Sequence, residues 1–181
     1  MRKSKTAIIG IWLCIIAIAW EVLKVIRDWP RELPPESELT VILMYLSYFP
    51  MIIFLILRIV VFAKNKIKVL FPIACIFEII FFLRPLIQLL SVNGMDAVDF
   101  LSKITYIAFG TIPTIMLLVM AIRVERKTPT LFYLPAVIYF VLGVANMATE
   151  MHRAQFSVLS LIPIILWTAI TFITGLFIRE Y

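Results

Sequence analysis

The run FEIIFFLRPLIQLL, Phe77 to Leu90, sets an acid, a base and an amide (Glu78, Arg84 and Gln88) among apolar neighbours. Ionisable groups in such surroundings are costly unless paired, and inside a membrane they default to a site or a helix contact. Glu78 and Arg84 stand six residues apart, about 120° around a helix, so they cannot meet each other. Phe77, Phe81, Arg84 and Gln88 share one stripe, and Cys75, Glu78, Phe82 and Pro85 another. Each charge therefore needs a partner from elsewhere in the chain. The candidates are Glu21, Lys24, Arg58, Asn146 and Glu150, which also lie in or at the edges of apolar stretches.

Arginine's planar fork grips a carboxylate at two points, so Arg84 suits either Glu21 or the acid group of a small solute. Catalysis finds less material. A single histidine, His152, excludes a two-histidine zinc motif and a bis-histidine haem. Placed beside Arg153 in a loop, it reads as a solvated residue. No aspartate lies inside an apolar stretch, and no serine or cysteine forms a nucleophile motif with the histidine. Cys14 and Cys75 have neither pairing nor ligand spacing and read as free core thiols. The reading is of no metal, no cofactor and no catalytic set. A lipid-modifying membrane enzyme, which can layer its acids in this way, is the weakest alternative.

The elements that must hold these residues follow from composition. The 181 residues are 63% hydrophobic and 15% charged, with a mean hydropathy of +1.05. Soluble domains are nearer half apolar and a quarter charged, so this is an integral membrane protein of the all-α class. About 20 apolar residues cross a bilayer. The pattern predicts six spans in one domain, 1–181, at approximately 6–26, 40–63, 67–92, 100–122, 130–149 and 157–178. The net charge of +6 sits in short loops between these runs, which marks topology and not nucleic-acid binding.

Basic residues alternate sides. Arg2, Lys3, Lys5, Lys64, Lys66, Lys68, Arg123, Arg126, Lys127 and Arg179 fall on one side of the bundle. The opposite loops mix Arg27, Arg31, Lys103 and Arg153 with Asp28, Glu32, Glu36, Glu38, Asp96, Asp99 and Glu150. The positive-inside rule then puts both termini in the cytoplasm, in a plasma or inner membrane crossed many times. MRKSK followed by an apolar run and Ala17-Ile18-Ala19 has a signal-peptide outline. Against cleavage stands the face formed by Ala7, Gly10, Cys14, Ala17 and Glu21, since small residues let a retained helix pack closely in lipid. Prolines at 50, 72, 85, 113, 135 and 163 are expected to interrupt five spans and to free backbone carbonyls. The proline-rich RDWPRELPPESEL connection is too short to fold alone, and no Gly-x-x-x-x-Gly-Lys phosphate loop is present.

Depth selects partners. At 1.5 Å per residue from the cytoplasmic ends, Glu78 lies about 15 Å in and Arg58, on the neighbouring span, about 9 Å in. The long arginine side chain spans that difference, so Arg58 and Glu78 are expected to form a buried charge pair. Arg84, Glu21 and Asn146 lie about 24, 22 and 24 Å in, with Gln88, Lys24 and Glu150 a turn further out. Glu21, Arg84, Gln88 and Asn146 are therefore expected to line one outer-facing polar cavity with Glu150 at its rim. Trp20, Trp29, Tyr45 and Tyr48 stand at the same level.

Such a cavity suits an anionic or zwitterionic solute, and the chain reads as a small-solute binding or transport component. The size and six-helix layout resemble the substrate-binding subunits of partner-driven vitamin importers, in architecture and without a shared motif. The alternative is an accessory, immunity or regulatory membrane protein, whose polar residues serve contacts with a membrane partner. No nucleic-acid partner is expected.

Overall fold

The computed structural model describes residues 4–28, 48–86, 89, 96–122, 132–152 and 161–180. Its first helix, α1 (Lys5–Asp28), turns the small-residue face inward: Ala7, Gly10, Cys14, Ala17 and Glu21 are all buried. Ile8, Ile9, Trp12, Ile15 and Ile16 point out. Gly10 is needed for this approach, because a Cβ there would stand 2.7–2.8 Å from the ring of Phe62. The remaining helices are α2 (Phe49–Lys64), α3 (Ile67–Leu83), α4 (Ala97–Ile122), α5 (Leu134–His152) and α6 (Leu161–Glu180). The architecture is all-α, with six helices among the described residues.

Each helix packs on its neighbours in sequence, α1 closes the ring against α6, and α4 also touches α6 across it. Neighbours run antiparallel. Phe62, near the end of α2, lies against Gly10 near the start of α1 and packs edge-on to Phe177 near the end of α6, with ring centroids 4.9 Å apart. Tyr48, capping the start of α2, faces Phe81 near the end of α3. The Ser4 hydroxyl donates to Glu180 at 2.8 Å, which brings the first and last described residues to one end of the bundle. The turn between α2 and α3 is closed by Asn65 at φ 57°, whose N–H bonds Val61 O at 2.8 Å. Asparagine tolerates this left-handed cap, and the tightness of the turn forces α2 and α3 side by side.

Lys5–Arg27, Ala97–Ile122 and Leu161–Glu180 are long and apolar enough to cross a membrane; Leu134–Thr149 is a shorter apolar helix. Large apolar side chains cover the outside, among them Trp12, Leu23, Val69, Ile122 and Ile165, each more than half exposed. A water-soluble monomer does not carry so continuous an apolar exterior. This is the surface of a multi-pass membrane protein.

The expected interruption of the span over 67–92 is present: α3 ends at Leu83, and the N–H of Arg84 bonds Phe81 O at 3.3 Å in a tightened last turn. Pro85 is the cause, having no N–H to carry the ladder onward. Pro72 and Pro113 lie inside helices, and Pro50, Pro135 and Pro163 sit in the first turns of α2, α5 and α6, a position that suits proline. The parts of those three spans that precede the helices, 40–47, 130–131 and 157–160, lie outside the described residues.

Candidate functional site

Arg58 of α2 and Glu78 of α3 occupy the middle of the bundle, each 1% exposed. Arg58 Nη2 donates to Glu78 Oε2 at 2.6 Å, and Arg58 Nη1 donates to Thr174 Oγ1 of α6 at 3.0 Å. Thr174 directs its own proton to Ile170 O at 2.6 Å, which leaves a lone pair for the arginine. Phe54 and Phe71 stand 5.5 Å from the guanidinium carbon, at the distance of a cation–π contact. Thr114 of α4 also reaches the Glu78 carboxylate. Cys14 and Cys75, both free and buried, lie within electrostatic range of the pair. Side chains from α1, α2, α3, α4 and α6 thus meet around one charge pair, neutral in sum and closed to solvent.

The second polar layer lies toward the other end of the ring. Arg84, just past the end of α3, donates from Nη2 to Tyr106 Oη of α4 at 3.2 Å, and Tyr48 lies against it. Its guanidinium carbon lies 4.6 Å from the Phe81 ring, 4.9 Å from Tyr48 and 5.5 Å from Tyr106. Three aromatic faces therefore enclose the cation. Arg84 Nη1 is buried and has no hydrogen-bond partner among the described residues; neither has the indole N–H of Trp20. Glu21, 4% exposed, accepts from Lys24 Nζ at 3.1 Å along its own helix. Its charge reaches Arg84 and Tyr106 without contact. Among the described residues no ion pair joins Glu21 to Arg84.

Asn146 of α5 holds its Oδ1 3.3 Å from the Thr105 hydroxyl of α4. Thr105 and Tyr106 are consecutive, so their side chains leave α4 about 100° apart, one toward Asn146 and the other toward Arg84. Arg84 and Asn146 thus both rest on α4, each against a different side chain. Gln88 and the side chains of Glu150 and His152 lie outside the described residues.

Sequence reasoning missed Tyr106 altogether and treated Tyr48 only as an aromatic at the right level. The available signal was a phenol on span four at the depth of Arg84. Tyr139 of α5 was missed too. It is fully buried, its hydroxyl has no partner among the described residues, and it lies within electrostatic range of both Glu78 and Tyr106.

Among the described residues no group of three or more His, Cys, Asp or Glu side chains is placed to hold a metal ion. One cavity, about 460 Å³, lies between α5 and α6 beside Ala136 and Ala169. Another, about 400 Å³, lies at the turn between α2 and α3 beside Lys64, Lys66 and Lys68. Compared with known proteins, the chain matches no family model, no curated protein and no solved structure.

Proposed function

We propose that the chain crosses the membrane six times with both termini in the cytoplasm, and that its outer polar layer binds a small anionic or zwitterionic solute through Arg84. One observation carries the reading. The charge of Arg58 is answered by a carboxylate at 2.6 Å, whereas among the described residues the contacts of Arg84 are phenols and ring faces. Each arginine keeps one buried donor without a partner among the described residues, Nε of Arg58 and Nη1 of Arg84, so the missing carboxylate is what sets Arg84 apart. Phenols and quadrupoles stabilise a guanidinium but do not neutralise it, and an unneutralised charge in a low-dielectric site attracts an anion. A solute carboxylate accepting from the free Nη1 completes that balance. Glu21 stands within electrostatic range to favour an ammonium on the same solute.

A panel of small carboxylates and amino acids, screened by thermal unfolding in detergent, tests the reading. At a hundredfold excess over Kd, a bound solute stabilises by about 2.7 kcal/mol, a readily measured shift. Arg84→Lys should keep the fold and lose that response, because an ammonium lacks the fork geometry. A wild-type protein indifferent to the whole panel, or an Arg84→Lys variant that responds equally, would sink the site. A stoichiometric protein partner co-purifying with such an indifferent protein would favour the accessory-subunit reading instead.

The orientation has its own test. Single cysteines at Asn65 and Lys127 should react with an impermeant thiol reagent only from the cytoplasmic side, and one at Ser37 only from outside. Labelling of the Asn65 position in intact cells would overturn the topology. Cys14 and Cys75 are buried and should give little background.

A further inference from the structure

The cavity between α5 and α6 opens on the outer wall of the ring, away from both polar layers. Ala136 and Ala169 form its hollow, and Phe140, Ile165 and Phe172 form its sides, so the lining is almost wholly apolar. One end is different. Tyr133 stacks on Phe172 with centroids 5.3 Å apart and an interplanar angle of 25°, and its hydroxyl accepts from Arg179 Nη1 at 3.3 Å. Arg179 is exposed in the last turn of α6. The neighbouring carboxylate does not answer it, since Glu180 accepts from the Ser4 and Thr6 hydroxyls of α1.

An apolar slot lying along two helices, with a cation held at its mouth by a phenol, has the polarity of a phospholipid. We infer that this groove binds an anionic phospholipid, with one acyl chain between α5 and α6 and the phosphate against Arg179 and the Tyr133 hydroxyl. The site is independent of the solute reading and rests only on the chain being embedded in a bilayer. Charge complementarity favours lipid over a second copy of the protein. At its mouth the groove presents an exposed cation, which an acidic headgroup neutralises, while a second copy would bring the same cation to meet it. Thr168 separates the two occupants further. Its hydroxyl is buried in the groove without a partner among the described residues. It lies about 16 Å along α6 from Arg179, too deep for a glycerol ester but well placed for a facing helix.

Native mass spectrometry of the intact protein, delipidated in detergent and titrated with phosphatidylglycerol or phosphatidylcholine of the same acyl chains, tests the inference. Wild type should prefer phosphatidylglycerol, and Arg179→Gln should lower its affinity about fivefold while lowering that of phosphatidylcholine, whose choline offsets its phosphate, clearly less. Ala169→Phe, which fills the slot, should reduce binding of both lipids. Thr168→Val should change neither. Equal binding of the two lipids by wild type, or a preference that survives Arg179→Gln, would overturn the proposal. So would a protein dimer that displaces lipid and is weakened by Thr168→Val. Arg179 is exposed, so its replacement should leave the fold intact even if Ala169→Phe proves too bulky to assemble.

Discussion

Glu78→Gln should destabilise the bundle by about 3–5 kcal/mol, because it strands the Arg58 guanidinium at the centre of the ring without a counter-charge. Arg58 is 1% exposed and surrounded by Phe54, Phe71 and Thr174, none of which replaces a carboxylate. Arg58→Met should cost less, since a stranded carboxyl group can take up a proton while a guanidinium cannot lose one. The double variant Arg58→Met/Glu78→Gln should recover much of the loss, as it removes both charges together. Thr174→Val removes a neutral partner and should cost only about 1 kcal/mol. Reversible unfolding in mixed micelles, followed by circular dichroism, measures all four. Simply additive single effects would mean that the 2.6 Å contact contributes no coupling.

The pair also bears on how the ring chooses its register. In hydrocarbon, an apolar seam is as well solvated by lipid tails as by another helix, so burying leucines or isoleucines does little to select one alignment over the next. A charge pair does select. Sliding α2 against α3 by one turn, about 5.4 Å, would separate Arg58 from Glu78 and leave two ions in apolar surroundings. The bond from Arg58 to Thr174 extends the same discrimination to α6. The penalty falls on the wrong arrangements, which is how a buried ion pair can specify a structure that it does not greatly stabilise.

Much of this was legible in the sequence, for definable reasons. The inward face of α1 followed from a stripe of small residues, because size is the property that close helix packing selects. The contact of Arg58 with Glu78 followed from depth, because a short turn gives two hairpin helices a common axial scale. The surroundings of Arg84 did not follow. Depth ranked Glu21 as its partner, but Glu21 had Lys24 three residues away on its own helix, while Arg84 met Tyr48 and Tyr106 first. Rotation around each helix separates residues of equal depth, and rotation of α4 was not readable from a segment apolar on most sides. The same ambiguity hid Asn146, which turns toward Thr105.

The aromatic centre was the least legible part, and it supports the second large prediction. Phe82 of α3 is 1% exposed and lies within 5.1–6.5 Å, centroid to centroid, of Phe81, Tyr106, Phe109, Tyr139 and Trp167. Nothing in a run of phenylalanines and isoleucines marks this one as the hub, since all are equally at home in lipid. What marks it is Gly110 on α4, where an added Cβ would drive straight into the Phe82 ring. The two residues are a knob and its hole. Phe82→Ala should cost about 3 kcal/mol, at the low end for a buried phenylalanine. Its ring stays in hydrocarbon when the helices separate, so the loss is of packing and not of transfer from water. Gly110→Val should cost about as much by overpacking, because the neighbouring rings leave Phe82 no direction in which to yield. Combined, the valine enters the space that the phenylalanine vacates. The double variant should therefore be about 2 kcal/mol more stable than the sum of the single losses predicts. Additivity within 0.5 kcal/mol would show that α3 and α4 do not meet at this point, and the placement of Arg84 beside Tyr106 would fall with it.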